Sequence, residues 1–210
     1  MRRMPLALAT AFLLSGCPAI MGLLGGSVSV TGTVKAELTN GVAFLGSNDI
    51  YRISSFASEL PMSGGTVKVT DTTGASVGVA SATTDGNGNY SLSKVPSGKT
   101  LLIVATQGAS GGSGNTVTVE ALWNGESTRT LDTVSTMAAV GILHDTALSA
   151  SQLASLGSDK ISALETALDA AVGDTASIPD LTSPSDVLSK FQAEASGSTS
   201  VASAYAALSQ

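Results

Sequence analysis

The sequence predicts a chain in two parts: a mainly β N-terminal half, folded as an antiparallel sandwich of about seven strands, and an α-helical C-terminal region. Composition is the first reason, because residues 1–130 contain 19 of the 23 Gly, whereas residues 131–210 contain four Gly and 16 Ala. Periodicity is the second reason: apolar residues alternate with period two before about Leu131 and recur at helical spacing after it. We therefore expect a β domain over 28–130, with an insertion at 36–60, and a helical region over 131–210.

The first 27 residues have the pattern of a secretory signal peptide followed by a tether. Two arginines precede the apolar run Leu6–Leu14, and small residues then lead to Cys17. The apolar run is too short for a membrane-spanning helix, which needs about 20 residues. We expect residues 1–16 to be removed as a signal peptide and the Gly-rich residues 17–27 to form a lipid-anchored, flexible tether.

The residues Leu14-Ser15-Gly16-Cys17 resemble the lipobox of bacterial lipoproteins. In that family the peptide is cut before the Cys, diacylglycerol is attached to the thiol, and the new amine is acylated. The resemblance therefore implies a membrane anchor on Cys17, the only Cys in the chain. The alternative is an ordinary signal peptide with an incidental Cys. Because Pro18 rather than Asp follows, the resemblance implies the outer membrane if the source has two membranes, and otherwise the cell membrane.

The strands are predicted by short segments in which apolar residues alternate with polar ones. These segments are Val28–Val34, Gly65–Thr70, Val77–Val79, Asn89–Lys94, Leu101–Ala105 and Val117–Ala121. Turn sequences rich in Gly, Asn and Asp separate them, at 71–74, 85–88 and 96–98. Leu101–Ala105 is apolar on both faces, which predicts a central strand. Strands without intervening helices are typical of a sandwich, and we expect residues 28–130 to fold without the helical region.

The residues from Thr84 onward, which include the turn at 85–88, resemble a second known family. Thr84-Asp85-Gly86-Asn87-Gly88-Asn89-Tyr90-Ser91-Leu92, followed by Val95-Pro96-Ser97-Gly98, is similar to the signature of the carboxypeptidase regulatory-like domain. That family forms a small transthyretin-like (prealbumin-like) sandwich, similar to immunoglobulin-like folds and related to the Cna B-type repeats of surface proteins. The resemblance covers about 28–125, apart from the insertion at 36–60, and implies a non-catalytic spacer or binding module.

The helices of the C-terminal region are predicted by apolar stripes at helical spacing. The first stripe is Ile161, Leu164, Leu168 and Val172, with Ser158 or Asp159 as the N-cap and Gly173 at the C-cap. The next two stripes are Val187, Leu188 and Phe191, behind Ser183-Pro184, and Val201, Tyr205 and Leu208. Val134–Leu143 is apolar on more than one side, so we expect it to form a buried helix that links the two halves.

Composition excludes several classes of site. One Cys and one His rule out an internal disulfide and metal sites that need several such ligands. The net charge is −6, and it becomes −8 when residues 1–16 leave, because two of the ten basic residues leave with them (8 − 16 = −8). An acidic chain lacks the basic surface that nucleic acid requires, so we expect no nucleic-acid partner and no cofactor.

An enzymatic alternative rests on the sequence Gly108-Ala109-Ser110-Gly111-Gly112. It matches the G-x-S-x-G string of serine hydrolases, and Asp132 and His144 follow in the order of their catalytic triad. The nucleophile of such enzymes lies between a strand and a helix, whereas here Gly and Ser continue toward another strand. A flexible loop is the competing interpretation, and we expect no enzymatic activity.

The turn at 85–88 contains weak candidates for calcium ligands. Asp85, Asn87 and Asn89 have the 1-3-5 spacing of oxygen ligands in calcium loops. Positions six and twelve of such a loop require Gly and Glu, but they hold Tyr90 and Pro96 here. A hairpin turn accounts for the same three residues, so we expect no metal site.

Trp123 is the candidate ligand-binding residue, because exposed aromatic side chains often anchor glycans or proteins; packing in the core is the alternative. We expect a non-catalytic, membrane-anchored surface lipoprotein with a structural or protein-interaction role and an envelope protein or glycan as partner. The alternative is a lipoprotein that binds a carbohydrate or another small ligand through Trp123 and the insertion at 36–60. A serine hydrolase is the remote alternative.

Overall fold

The computed structural model describes residues 26–37, 59–108, 116–144, 148–172 and 179–210. The strands are β1 Ser27–Thr33, β2 Lys35–Glu37, β3 Glu59–Pro61, β4 Thr66–Thr70, β5 Ala82–Thr83, β6 Asn89–Pro96, β7 Leu101–Gly108 and β8 Thr116–Trp123. The helices are α1 Thr133–His144, α2 Ala150–Ala154, α3 Ser158–Val172, α4 Pro184–Gly197 and α5 Thr199–Ala207. Antiparallel sheets in the N-terminal half and helices after them confirm the coarse prediction.

The strands of the described residues form one four-stranded sheet and two two-stranded sheets. The larger sheet has the order β5-β4-β7-β8, and the smaller ones pair β1 with β6 and β2 with β3. The central strand β7 is buried on both faces at Leu101, Leu102 and Ile103, as its continuous apolar sequence predicts. Val34 lies between β1 and β2, and its carbonyl accepts a hydrogen bond from the Met62 amide at 2.9 Å. This residue therefore joins the two smaller sheets.

After β8 the chain turns back and lies beside β1. Thr31 pairs with Thr128 and Val34 with Leu131, both in parallel. The Arg129 amide donates to the Thr31 carbonyl at 2.8 Å. This approach requires Gly32, because a Cβ at that position would lie far inside van der Waals contact with the Arg129 carbonyl oxygen. Glycine therefore fixes how closely these two segments can pack.

Two predictions about the strands need correction. Val77–Val79 is not a strand: only Ser76 bridges to Thr70, and the short strand β5 forms later, at Ala82–Thr83. The positive φ of Gly78 (77°) turns the backbone between these two points. The predicted insertion at 36–60 is flanked by β2 and β3, which pair with each other, and residues 38–58 lie outside the described part.

Helix α1 is the buried helix predicted for 134–143. Nine of its twelve residues are buried, and it packs on β8, α3 and α4. It also covers the free edge of β8. The Ser135 hydroxyl donates to the Glu120 carbonyl and the Glu120 amide donates to the Thr136 hydroxyl, both at 3.0 Å. Side chains of the helix thus form hydrogen bonds with the main-chain amide and carbonyl that an edge strand would leave without a partner.

The predicted stripes of α3, α4 and α5 face the core. All four residues of the α3 stripe are buried, and so are Val187, Phe191, Val201 and Leu208. Ser183 caps α4 with Pro184 after it, as predicted, whereas Gly173 lies outside the described residues. The sequence analysis missed α2, which a capping box between Ser149 and Gln152 stabilises. None of the helices in the described ranges is long and apolar enough to cross a membrane.

Candidate functional site

The structure places Trp123 in the core rather than at the surface. Its side chain is fully buried, at 0% exposure. The indole N–H donates to the Glu126 carbonyl at 2.7 Å, and the Asn124 amide donates to the Glu126 carboxylate at 2.9 Å. The exposed aromatic anchor expected from the sequence is therefore a core residue. The reason is that Trp123 ends the inward-facing row of β8, where the chain folds back toward β1.

Asp85 organises the hairpin turn between β5 and β6. One carboxylate oxygen accepts from the amides of Asn87 and Asn89, at 2.9 and 2.8 Å, and the other accepts from the Asn89 side chain at 2.9 Å. These hydrogen bonds, the one from the Asn89 side chain most of all, lower the pKa of Asp85. The carboxylate is directed into its own turn. In the described ranges, no group of three or more His, Cys, Asp or Glu side chains could hold a metal ion.

Two residues of the alternative catalytic triad, Asp132 and His144, lie at opposite ends of α1. Asp132 lies just before α1, where its carboxylate accepts from the Ser135 amide at 2.7 Å. His144 is the exposed last residue of the same helix. A helix of twelve residues is about 18 Å long, so Asp132 cannot orient His144 in the manner of a triad. Ser110 and the lipobox Cys17 lie outside the described residues.

A largely buried ion pair joins the β half to the helices. Both terminal nitrogens of Arg129 bind the carboxylate of Glu165 in α3, Nη1 at 2.9 Å from Oε2 and Nη2 with Oε1. Tyr90 donates its hydroxyl to the Arg129 carbonyl at 2.7 Å. This bidentate pair, which we call the Arg129–Glu165 junction, links two segments 36 residues apart.

The junction lies beside a polar cavity of about 290 Å³. The lining residues are Arg129, Thr130, Asp132, Val134, Ser135, Ser162, Glu165, Thr166 and Asp169. Burial raises the pKa of Glu165, the Arg129 guanidinium lowers it, and Asp132 and Glu126 raise it further. Asp132 and Ser135 are both engaged in the start of α1. Through Arg129, Asp132, Ser135 and Glu165, the polar groups of the cavity hold α1 and α3 against the β half.

Glu120 is a second carboxyl group whose pKa is raised by burial, and it lies on the β8 edge that α1 covers. Burial raises its pKa to about 7. Its main chain is bound by Ser135 and Thr136, and no hydrogen bond to its side chain occurs within the described ranges. A buried carboxyl group without a partner favours its neutral form, so Glu120 makes the contact between the two halves sensitive to pH.

None of the protein families, curated proteins or solved structures compared with the chain matches it. The features that the sequence analysis missed are the Arg129–Glu165 junction and the closure of the β8 edge. No local sequence pattern predicts either feature, because each joins residues that are far apart in sequence. The ligand-binding alternative loses its aromatic anchor, because Trp123 is buried, and residues 38–58 of the insertion lie outside the described part.

Proposed function

We propose that this chain is the precursor of a non-catalytic lipoprotein of the bacterial cell envelope, anchored through Cys17 and serving a structural or protein-interaction role. The observation that carries the proposal is Leu14-Ser15-Gly16-Cys17 directly behind a positively charged, apolar N-terminus. It is supported by the fact that this is the only Cys of the chain. With two membranes in the source, the residue Pro18 favours the outer membrane.

The fold that we propose for the β half is a prealbumin-like sandwich of the carboxypeptidase regulatory-like kind. The four-stranded sheet would be one layer, and β1 with β6 and the segment 127–131 the other. Inward-facing residues of both sets belong to one hydrophobic cluster, among them Val30, Leu92, Ile103 and Val119. Alternate residues of β4 and β6 face outward, which is typical of a sandwich layer.

The proposed absence of catalysis rests on how the polar groups are used. The carboxylates of Asp85 and Asp132 bind main-chain amides of their own turns, and the carboxylate of Glu165 binds Arg129. Groups engaged in this way stabilise the fold and are not available as a base or nucleophile. A scaffold of this kind supports a spacer or docking module on a lipid anchor.

The test is mass spectrometry of the mature N-terminus of the protein and of two variants. The wild type should begin at Cys17 and carry the mass of diacylglycerol, with a further acyl group where the host acylates the amine. Cys17→Ser removes the thiol and should abolish both lipid attachment and cleavage before residue 17. Ser15→Ala preserves the lipobox pattern and serves as the control that should be processed normally.

A mature N-terminus at another residue, or a Cys17 without lipid, would overturn the proposal. Fractionation alone does not decide, because an uncleaved Cys17→Ser precursor retains the apolar run Leu6–Leu14 and can stay with the membrane. The mass of the N-terminal peptide distinguishes that precursor from the lipidated protein.

A further inference from the structure

The first residue of the β half that the structure describes is held among the loops at one end of its strands. Gly26 accepts from the Ser97 amide at 2.9 Å and from the Ser97 hydroxyl at 2.6 Å. In the paired strands, Ser27 lies opposite Pro96, Leu101 opposite Trp123, and Thr70 opposite Leu102. We call this end, with residues 26, 71–75, 94–100, 124–126 and 155–160, the loop end.

The helices contribute to the loop end through the turn between α2 and α3. The Leu156 carbonyl accepts from the Thr100 hydroxyl at 3.2 Å and from the Asn124 side chain. The start of α3, with Asp159 and Lys160, follows directly. The turn Asp85–Gly88 lies at the opposite end of β6, and eight strand residues span about 26 Å.

The length of chain before Gly26 limits how far the loop end can stand from a lipid on Cys17. Gly26 lies nine positions after Cys17, with eight residues between them, and nine Cα–Cα steps of any conformation span at most about 32 Å. The turn at Asp85–Gly88 lies a strand length farther along the fold. The loop end is therefore the part of the β half that the anchor holds nearest to the bilayer.

Charge distinguishes the loop end from the remainder of the described residues. It contains Lys94, Lys99 and Lys160 against Asp71, Glu126 and Asp159. The remaining basic residues are Lys35, Lys68, Arg129 and Lys190. The remaining acidic residues are Glu37, Glu59, Asp85, Glu120, Asp132, Glu165, Asp169, Asp180, Asp186 and Glu194. The loop end is thus balanced at three against three, whereas the rest has four basic residues against ten acidic ones and is repelled by anionic headgroups.

The lysines of the loop end are more available than its carboxylates. The Asp71 carboxylate accepts from the Thr73 amide and hydroxyl and from the Ala75 amide, at 2.6 to 2.9 Å. Lys94 and Lys99 are exposed, and neither has an ion pair within 4 Å in the described ranges. The hydrogen bonds from Thr73 and Ala75 lower the pKa of the Asp71 carboxyl group, and Lys99 lies near enough to contribute to that lowering after them. Lys94 lies in a bulge of β6 with a φ of 60°, a conformation that is unfavourable for a residue with a Cβ.

We propose that the loop end faces the membrane and that Lys94 and Lys99 contact the anionic headgroups of the lipid bilayer. This inference rests on the proposed lipid anchor at Cys17. The turn at Asp85–Gly88 and most of the acidic surface then face away from the bilayer, and the lipid anchor and the two lysines together fix this orientation.

The orientation can be measured on the full lipidated protein, because an introduced Cys is its only free thiol once Cys17 carries lipid. Ala75→Cys places a fluorophore at the loop end and Asn87→Cys places one at the opposite end. The two positions are matched, since both are exposed and both lie in turns closed on an aspartate. The labelled proteins are inserted into vesicles of phosphatidylcholine and phosphatidylglycerol that contain a headgroup-quenched lipid.

We expect the label at Ala75→Cys to lose much more fluorescence than the label at Asn87→Cys. Lys94→Gln together with Lys99→Gln should reduce this difference in vesicles with phosphatidylglycerol, whereas Lys68→Gln, an exposed lysine outside the loop end, should leave it unchanged. Equal quenching at the two positions, or stronger quenching at Asn87→Cys, would overturn the inference for a protein whose Cys17 carries lipid. Without that lipid, the N-terminal mass overturns the proposed function and this inference with it.

Discussion

Different groups make the close contacts within the β half and within the helical half of the molecule. In the β half, Gly32 lies against the Arg129 carbonyl and Gly88 against the Val34 carbonyl, so main chain packs on main chain there. In the helical half, Gly141 lies against the ring of Phe191, which is a side chain. Main chains cannot move without breaking their hydrogen bonds, whereas rings can shift. The difference predicts that the β half tolerates added volume less well than the helices do.

The largest expected effect concerns the separation of the halves. The sequence favours a β half that folds alone, but α1 covers the β8 edge and places nine buried residues against its neighbours. We therefore expect a fragment of residues 26–130 to lose cooperative unfolding, measured by circular dichroism in urea, while residues 26–210 retain it. A sharp transition of the short fragment would restore the prediction from sequence.

Gly32→Ala should be the most destabilising small substitution in the β half. The new Cβ overlaps the Arg129 carbonyl oxygen and approaches the Tyr90 ring to 2.9 Å. Because main chain must move, we expect the free energy of unfolding to fall by about 3 kcal/mol in urea denaturation. Gly86→Ala is the control: a Cβ there meets nothing within 4 Å, so its effect should stay within about 0.5 kcal/mol. Equal losses in the two variants would contradict the account.

Gly141→Ala tests the corresponding contact between helices. The Cβ would lie 2.6 Å from the Phe191 ring, but the ring can shift and Ala favours helix more than Gly does. We expect a loss of about 1–2 kcal/mol in the free energy of unfolding. Adding Phe191→Leu should recover part of this loss, because the two residues share one space. Gly197→Ala, which meets nothing within 4 Å, should cost nothing.

Glu120→Gln tests the contact between the halves through pH. Burial raises the pKa of Glu120 to about 7 from its ordinary value of 4.5, so between these two pH values the folded protein holds a proton that the unfolded chain releases. The contribution of this group to the free energy of unfolding is fully present below pH 4.5 and is lost as the pH rises through about 7. We expect the variant to gain about 1–3 kcal/mol over the wild type at pH 8, and much less at pH 4. A difference between the two proteins that does not change with pH would contradict this cause.

Calcium should have the smallest effect, namely none. The Asp85 carboxylate already accepts three hydrogen bonds within its turn, and neither Asn87 nor Asn89 adds negative charge. The melting temperature should be the same in millimolar calcium and in chelator. A rise with calcium that chelator reverses would show that the turn at Asp85–Gly88 binds the ion.

The helices and strands were predictable where a local pattern determines them. The stripe from Ile161 to Val172 and the cap at Ser183 are encoded within one or two helical turns, and both are observed. The strand predicted at Val77–Val79 failed because Gly78 turns the backbone there. The helix α2 had a local signal, the capping box from Ser149 to Gln152, which the apolar pattern did not reveal.

The candidate sites divide in the same way. The turn residue Asp85 interacts only with its neighbours, so its sequence alone indicates a hairpin turn. Burial of Trp123 depends on where the chain goes after β8, and the separation of Asp132 from His144 depends on α1 being continuous between them. Periodicity indicates which side of a strand is apolar, but it does not say whether its end lies at the surface.

The sequence by itself determined that strands precede helices, that Asp85 begins a hairpin turn and that Ser183 caps α4, because each depends on residues close together in the chain. The lipid anchor proposed at Cys17 rests on a local pattern of the same kind. Only the tertiary structure decided that Arg129 pairs with Glu165, that α1 closes the edge of β8, and that Glu120 lies where burial raises its pKa. These features join segments separated by 15 or more residues. The free energy of each feature depends on which polar groups are removed from water together. The sequence does not specify those groups, because they are brought together only when the two halves pack.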